Sequence, residues 1–342
     1  MASGMKIVVD SKIPFIEGRF PAGVDVRYLP PSEITQEAVK TADALVVRTR
    51  TRCNARLLEG SSVKFVFTAT IGTDHIDLDW CGRNGITVKS AVGCNAPGVA
   101  QYVWASLLSR GISPENKTVG VVGYGNIGGI VARWGRALGT EVLVNDPPKQ
   151  SAGHDDEDYI SLYDLLKKSD VVTVHTPLAL EGEHATHHLI GIPEFEAMKE
   201  GAVLINAARG GIVDEAALRR AVVEKHVRPI IDVWENEPLV DPFLLHRAMV
   251  ATPHIAGYSR QGKERATRMA LEALEDFFGM ATDKTGLCGD WAEDPVPDAV
   301  GILKSYNPTA DTTLLRDNPE KFESIRENYN FRNEVLYSVQ GS

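Results

Sequence analysis

Short apolar, largely β-branched runs recur along the first part of the chain at Ile7–Val9, Ala44–Val47, Phe65–Phe67 and Ile86–Val88, separated by longer stretches of mixed polarity. Such runs read as strands buried on both faces, and the stretches between them are long enough for the crossovers that parallel strands require. From 98 to 109 the positions Val99, Val103, Ala105, Leu107 and Leu108 take helical spacing, until Gly111-Ile112-Ser113-Pro114 breaks it. A boundary near 97–115 follows. A second series then predicts strands at 119–122, 142–145, 171–174, 203–205 and 230–233, with helices near 127–138, 161–168, 194–199 and 214–225. The alternation predicts an α/β protein with two doubly wound parallel sheets, one per series. Segment 260–279 carries Ala266, Met269, Ala270, Leu271, Ala273, Leu274, Phe277 and Phe278 among charged residues and stops at Gly279, which predicts one long amphipathic helix. Residues 281–342, with Pro295, Pro297, Pro308 and Pro319, read as an appendage that packs on something else.

Composition narrows the class. The 342 residues exceed one ordinary core, and 43% hydrophobic with 24% charged residues is the balance of a folded globular protein. A net charge of −10, from 46 acidic against 36 basic side chains, argues against a nucleic-acid or anionic-membrane binder as a whole. The stretch 118–132 is broken by glycines and ends at Arg133, short of a membrane span. Cys53, Cys81, Cys94 and Cys288 show no CxxC spacing, so no zinc site is expected and a reducing, cytoplasmic setting is the simpler reading. No export signal is expected either, and Met1-Ala2-Ser3-Gly4 reads as a loose leader before the first strand.

Chemistry enters at the start of the second series. Gly123-Tyr124-Gly125-Asn126-Ile127-Gly128 follows the strand Thr118–Val122 and opens a helix. Gly123 permits the tight turn, Gly125 lets backbone approach a pyrophosphate, and Gly128 lets helix and strand pack closely, with Asn126 and Ile127 in the first helical turn. The next strand ends at Asp146, about 20 residues beyond the turn, where a carboxylate accepts from ribose hydroxyls and repels a 2′-phosphate. NAD is therefore the expected cofactor. Further strand ends carry His175-Thr176-Pro177, Asn206-Ala207-Ala208-Arg209-Gly210-Gly211, Asp232-Val233-Trp234-Glu235-Asn236-Glu237-Pro238 and Thr252-Pro253-His254-Ile255-Ala256-Gly257. Parallel strands put all of these on one edge of the sheet, where an Arg, a Glu and a His together can form a site.

In order and spacing these motifs resemble the D-isomer-specific 2-hydroxyacid dehydrogenases over roughly residues 5–280. The resemblance implies a flavodoxin-like substrate domain of 5–96 plus 258–280 and a Rossmann NAD-binding domain of 97–257. It implies Arg209 as the anchor of the substrate carboxylate and carbonyl, His254 as acid and base, and Glu237 as the partner of that histidine. The chemistry agrees: oxidising a secondary alcohol needs a base for the hydroxyl proton, and the adjacent carboxylate needs a planar, permanently charged anchor. A narrower set of motifs, including Val47-Arg48-Thr49, Phe67–Asp77, Gly93-Cys94-Asn95-Ala96, Asn145–Pro148 and His254–Tyr258, is similar to one branch acting on a phosphorylated four-carbon hydroxy acid in vitamin B6 biosynthesis. That similarity implies substrate contacts at Thr49, Thr70 and Tyr258. It implies NAD contacts at Asp146, Thr176, Ala207, Asp232 and Gly257, besides the turn. The stretch Phe322–Tyr329 with Arg332 is similar to the branch's C-terminal dimerisation domain, so 281–342 is expected to be a shortened dimerisation region and the protein a homodimer. Gln101 stands where that branch more usually carries glutamate.

Two other readings stay open on the sequence: a different D-2-hydroxyacid dehydrogenase, such as one acting on 3-phosphoglycerate, and an NADH-sensing binding protein of the same fold. The phosphate end of a substrate needs cations, and Arg48, Arg50 and Arg52 follow the strand 44–47, although alternation turns only one face inward. His184, His187 and His188 read as solvated, with no second ligand cluster nearby and so no metal. His75 reads as structural, Trp234 as a packing residue that helps fix Glu237, and Cys94 as a residue without redox chemistry.

Overall fold

The computed structural model describes residues 4–291 and 295–335. Residues 1–3, which belong to the expected leader, and residues 292–294 and 336–342 of the expected C-terminal region lie outside the described residues. Gly4 is not loose: its amide donates to Gly23 O at 3.3 Å. The described chain divides into two compact units, residues 4–95 with 260–291 and residues 96–259 with 295–335.

The first unit is a five-stranded sheet of β1 (Lys6–Asp10), β2 (Asp25–Leu29), β3 (Ala44–Val47), β4 (Phe65–Thr68) and β5 (Thr87–Ser90). The order is β2-β1-β3-β4-β5 and every pair is parallel. Three of the apolar runs seen in sequence become the central strands β1, β3 and β4, with Ala44–Val47 and Phe65–Thr68 wholly buried, while Ile86–Val88 leads into the edge strand β5. β2 is absent from the expected strands because Asp25-Val26-Arg27-Tyr28-Leu29 lies at the sheet edge and alternates in polarity rather than forming an apolar run. The helix Arg260–Phe278 covers one face of this sheet, burying Ala266, Ala270, Leu271, Ala273 and Leu274 against Val9, Val46 and Phe65.

The second unit holds β6 (Thr118–Val122), β7 (Glu141–Asn145), β8 (Val171–Val174), β9 (Val203–Asn206), β10 (Arg228–Ile231) and β11 (Val250–Ala251), in the order β11-β10-β9-β8-β6-β7 and again all parallel. β11 is too short for periodicity to announce it. The sequence reverses direction between β6 and β8, the switch point at which such sheets bind ligands beyond their carboxyl ends. Register aligns those ends, pairing Val122 with both Asn145 and Val174, Val174 with Asn206, Asn206 with Ile231 and Ile231 with Ala251. Gly123, Asp146, His175, Ala207, Asp232 and Thr252 therefore follow one another along a single edge.

The C-terminal residues do not form a unit of their own. Met280 and Leu287 join the core of the first unit, where Arg19 donates to Asp283 O and Thr285 O at 3.0 Å each. Residues 295–335 fold onto the second unit. There Leu315 and Phe322 enter its main core, and Thr312 accepts from Ala251 N at 3.2 Å.

Candidate active site

The glycine turn has the shape its spacing predicts. Gly123 takes φ +90, and a Cβ there would stand 2.8 Å from the carbonyl carbon of His175. A Cβ on Gly128 would stand 2.0 Å from Gly123 O, so helix and turn touch backbone to backbone. Gly125, the residue before the helix Asn126–Ala137, has no protein atom within 4 Å of such a Cβ, and the first helical amides are there to meet an anion. Asp146 fixes the turn: its Oδ2 accepts from Tyr124 N at 2.7 Å and its Oδ1 from Lys149 N at 3.0 Å. Thr176 lies beside Gly123 with a buried hydroxyl that has no protein partner. A buried polar group left unpaired costs free energy unless a ligand satisfies it, so this hydroxyl fits a polar cofactor at the edge. Its neighbour His175 bonds Thr173 Oγ1 through Nε2 at 2.9 Å, and burial pushes its imidazole down to about 3.

Farther along the edge, Asn206 folds the Ala207–Gly211 loop by donating to Arg209 O at 3.0 Å and accepting from Ala208 N at 3.2 Å. Arg209 Nη1 donates to Ala208 O at 2.8 Å. The loop lies against the one after β10: a Cβ on Gly210 would stand 2.0 Å from Trp234 O. Trp234 is buried, with its indole donating to Thr252 O at 3.1 Å and its amide to Glu237 Oε1 at 3.0 Å. Glu237 in turn meets His254 Nδ1 through Oε2 at 2.8 Å and Oε1 at 3.1 Å. Burial raises the Glu237 carboxyl, but the His254 contact, the Trp234 amide and the nearby Arg326 charge outweigh it and hold the group below the ordinary carboxylate value. Glu237 and His254 thus stand together, and Arg209 is joined to them through Gly210 and Trp234.

His254 carries φ +57, a left-handed backbone that non-glycine residues rarely take and that costs of order 1–3 kcal/mol. Asp232 holds it there. His254 N donates to Asp232 O at 2.7 Å, while the buried carboxylate accepts from Thr252 Oγ1 at 2.7 Å, Ile255 N at 2.8 Å and Ala256 N at 2.9 Å. Burial raises this carboxyl. The residue read from sequence as an NAD contact is only 1% exposed, and it organises the histidine loop. Gly257 lies on the same loop, and the hydroxyl of Tyr258 accepts from Arg326 Nε at 3.2 Å.

In the first unit Thr49 is exposed, and Thr70 Oγ1 lies 2.6 Å from Thr68 Oγ1 at the carboxyl end of β4. His75 also meets Thr68, through Nε2 at 3.1 Å, as a structural histidine should. Arg48 is engaged: its Nε donates to the fully buried Asp10 carboxylate at 3.0 Å. Its cation therefore balances a buried charge. His187 is exposed, as a solvated residue should be, but the same reading does not hold for the half-buried His188. His188 bonds Glu235 at 2.8 Å, its ring stacks on His187 at 3.9 Å, and the three side chains bring ligand atoms within 4.8 Å of one another. No sequence spacing links 188 to 235; the pairing arises because the loops after β8 and β10 share the sheet edge.

Residues 97–256 match the family model described as D-isomer specific 2-hydroxyacid dehydrogenase, NAD binding domain. Over 339 residues the chain is 42% identical to an erythronate-4-phosphate dehydrogenase of Bacteroides fragilis, covering 96% of this chain and 97% of that one. A D-lactate dehydrogenase of Aquifex aeolicus, solved with NAD and lactic acid, aligns with a TM-score of 0.66 at 27% identity over 80% of this chain and 95% of that one. An NAD+-bound 3-phosphoglycerate dehydrogenase of Entamoeba histolytica gives a TM-score of 0.66 at 25% identity over the same shares.

Proposed function

The chain belongs to the D-isomer-specific 2-hydroxyacid dehydrogenases, in the branch of the erythronate-4-phosphate dehydrogenases, and from that premise we propose that it oxidises 4-phospho-D-erythronate to (R)-3-hydroxy-2-oxo-4-phosphobutanoate with NAD, in pyridoxal 5′-phosphate biosynthesis. The observation that carries the reading is the His254–Glu237 pair at 2.8 Å. Glu237 faces Nδ1 and so keeps the ring proton on that nitrogen, which leaves Nε2 to accept the proton of the substrate hydroxyl. The imidazolium formed is stabilised by the carboxylate already in contact with it. Arg209 supplies the fixed cation for the substrate carboxylate and the carbonyl developing beside it. Bound NAD supplies the hydride acceptor. Gly123, Gly125, Asn126, Ile127 and Gly128 would hold its pyrophosphate, Asp146 its ribose, and Thr176, Ala207, Asp232 and Gly257 would make further contacts. Thr49, Thr70 and Tyr258 would contact the substrate.

We read the chain as a cytoplasmic homodimer. Val300, Leu303 and Leu314 are exposed on the C-terminal helices, which supports a partner chain there, and no helix among the described residues is long and apolar enough to cross a membrane. The test of function is NADH formation by the purified chain with 4-phosphoerythronate and, separately, 3-phosphoglycerate. Turnover with the first and its collapse in His254→Ala are expected. Faster turnover with 3-phosphoglycerate, or a His254→Ala protein that stays folded and near full rate, refutes the assignment.

A further inference from the structure

Two arginines from the end of the chain grip the loop that bears His254. Arg332 is buried, and all five of its N–H donors find acceptors. Nε donates to Gln101 Oε1 at 3.1 Å, Nη1 to Ile255 O at 3.0 Å and Tyr258 O at 3.4 Å, and Nη2 to Gly98 O at 2.9 Å and to Ala256 O. Its guanidinium also lies over the ring of Tyr306, 4.3 Å from the centroid. A buried cation is costly unless fully hydrogen-bonded, so this one holds its acceptors in place as firmly as they hold it. Three of the acceptors are carbonyls at 255, 256 and 258, immediately after the strained His254. Arg326 makes the second grip: Nε reaches the Tyr258 hydroxyl at 3.2 Å, and Nη1 stands 3.8 Å from Glu237 Oε2.

We propose that the C-terminal segment 322–335 is a working part of the active centre, in which Arg332 fixes the 255–258 backbone and Arg326 fixes Glu237 and Tyr258 about His254. Both are positioning residues, and the proposal rests on the assignment of His254 and Glu237 as the proton-transfer pair. It gives the C-terminal residues a role within their own chain, beyond any contact with a partner. Placement matters at this scale, since a shift of about 1 Å in a reacting group costs on the order of 100-fold in rate.

The test compares the full-length wild type with Arg326→Gln and Arg326→Lys. Arg326→Gln should lower kcat by ~10-fold or more while KM for NAD stays within about twofold, and Arg326→Lys should recover most of the loss. In a His254→Ala background Arg326→Gln should change the residual rate no further, because a residue acting through the pair has nothing left to act on. Unchanged kcat in Arg326→Gln overturns the proposal. So does a rise in KM for the phosphorylated substrate at constant kcat, which would make Arg326 a phosphate ligand, or an equal loss in both variants with a lowered melting temperature, which would make it merely structural. If the wild type does not turn over 4-phosphoerythronate, the assignment of substrate fails, while the positioning role is still read by NMR from the His254 Nδ1 proton. That signal should be lost to faster exchange in Arg326→Gln and kept in Arg326→Lys, and its persistence in Arg326→Gln refutes positioning.

Discussion

Replacing Gly210 with alanine puts a methyl group where the chain has no room for one. The added Cβ would stand 2.0 Å from Trp234 O and 2.6 Å from Trp234 C, against at least 3.4 Å for an ordinary contact. Both atoms are backbone, so no rotamer change relieves the clash, and the loops after β9 and β10 must separate by about 1.4 Å to take the 2.0 Å approach to Trp234 O out to 3.4 Å. Arg209 precedes the substituted residue, and the Trp234 amide that moves away is the one holding Glu237 at 3.0 Å. A displacement of ~1 Å at reacting groups costs on the order of 100-fold in rate. That corresponds to ~2.7 kcal/mol of transition-state stabilisation. Overpacking should lower folding stability by a further ~1–3 kcal/mol. The assay is steady-state NADH formation beside urea denaturation of the same preparation, with NAD affinity followed by fluorescence. The expected pattern is kcat/KM down ~100-fold with NAD affinity weakened far less, because the 123–128 turn that would hold the pyrophosphate is not displaced even though the Ala207 loop moves. A Gly210→Ala protein with wild-type stability and kcat/KM within about threefold of wild type refutes the back-to-back packing of the two loops.

The other two predictions concern cofactor binding and pH. Gly125→Ala should fold and melt as the wild type does, since its Cβ meets nothing within 4 Å, yet bind NAD at least ~10-fold more weakly because the methyl group blocks backbone approach to the pyrophosphate. Gly128→Ala, whose Cβ would lie 2.0 Å from Gly123 O, should lose stability as well; isothermal titration and thermal melts separate the pair, and normal NAD binding by Gly125→Ala counts against the turn. His175 is held neutral by burial, with its imidazole lowered from 6.5 to about 3, so between those values the unfolded chain binds a proton that the folded chain refuses. Its contribution is complete above about pH 6.5 and is lost as pH falls towards 3, at up to ~1.4 kcal/mol per pH unit. Urea titrations across that window should show a shallower slope in His175→Gln, and identical slopes in both proteins would exclude the effect.

Much of the site was legible in the sequence because its parts are local. The turn 123–128, the acidic end of β7 and the motifs after β9, β10 and β11 each occupy a few consecutive residues, and parallel topology alone lines them along one edge. Less legible were elements and partners without local pattern. β2 is a polar-alternating edge strand and β11 has two residues, so neither leaves an apolar run. Asp232 is read from sequence as a cofactor contact, and its second task, accepting from the loop that follows β11, has no local signature. His188 finds its acceptor at Glu235, 47 residues away.

The sequence by itself determined the class of the protein: apolar runs separated by crossover-length segments dictate parallel sheets, and a glycine turn between strand and helix dictates a dinucleotide at their edge. The same residues named the Arg, Glu and His of the proposed chemistry. Tertiary structure alone decided how that chemistry is held. Arg332 meets Gln101 across 231 positions and Arg326 meets Tyr258 across 68, while Arg48 is turned to the buried Asp10. These pairings form because a buried charge must find partners wherever packing brings them, and periodicity along the chain carries no record of which distant residue that will be.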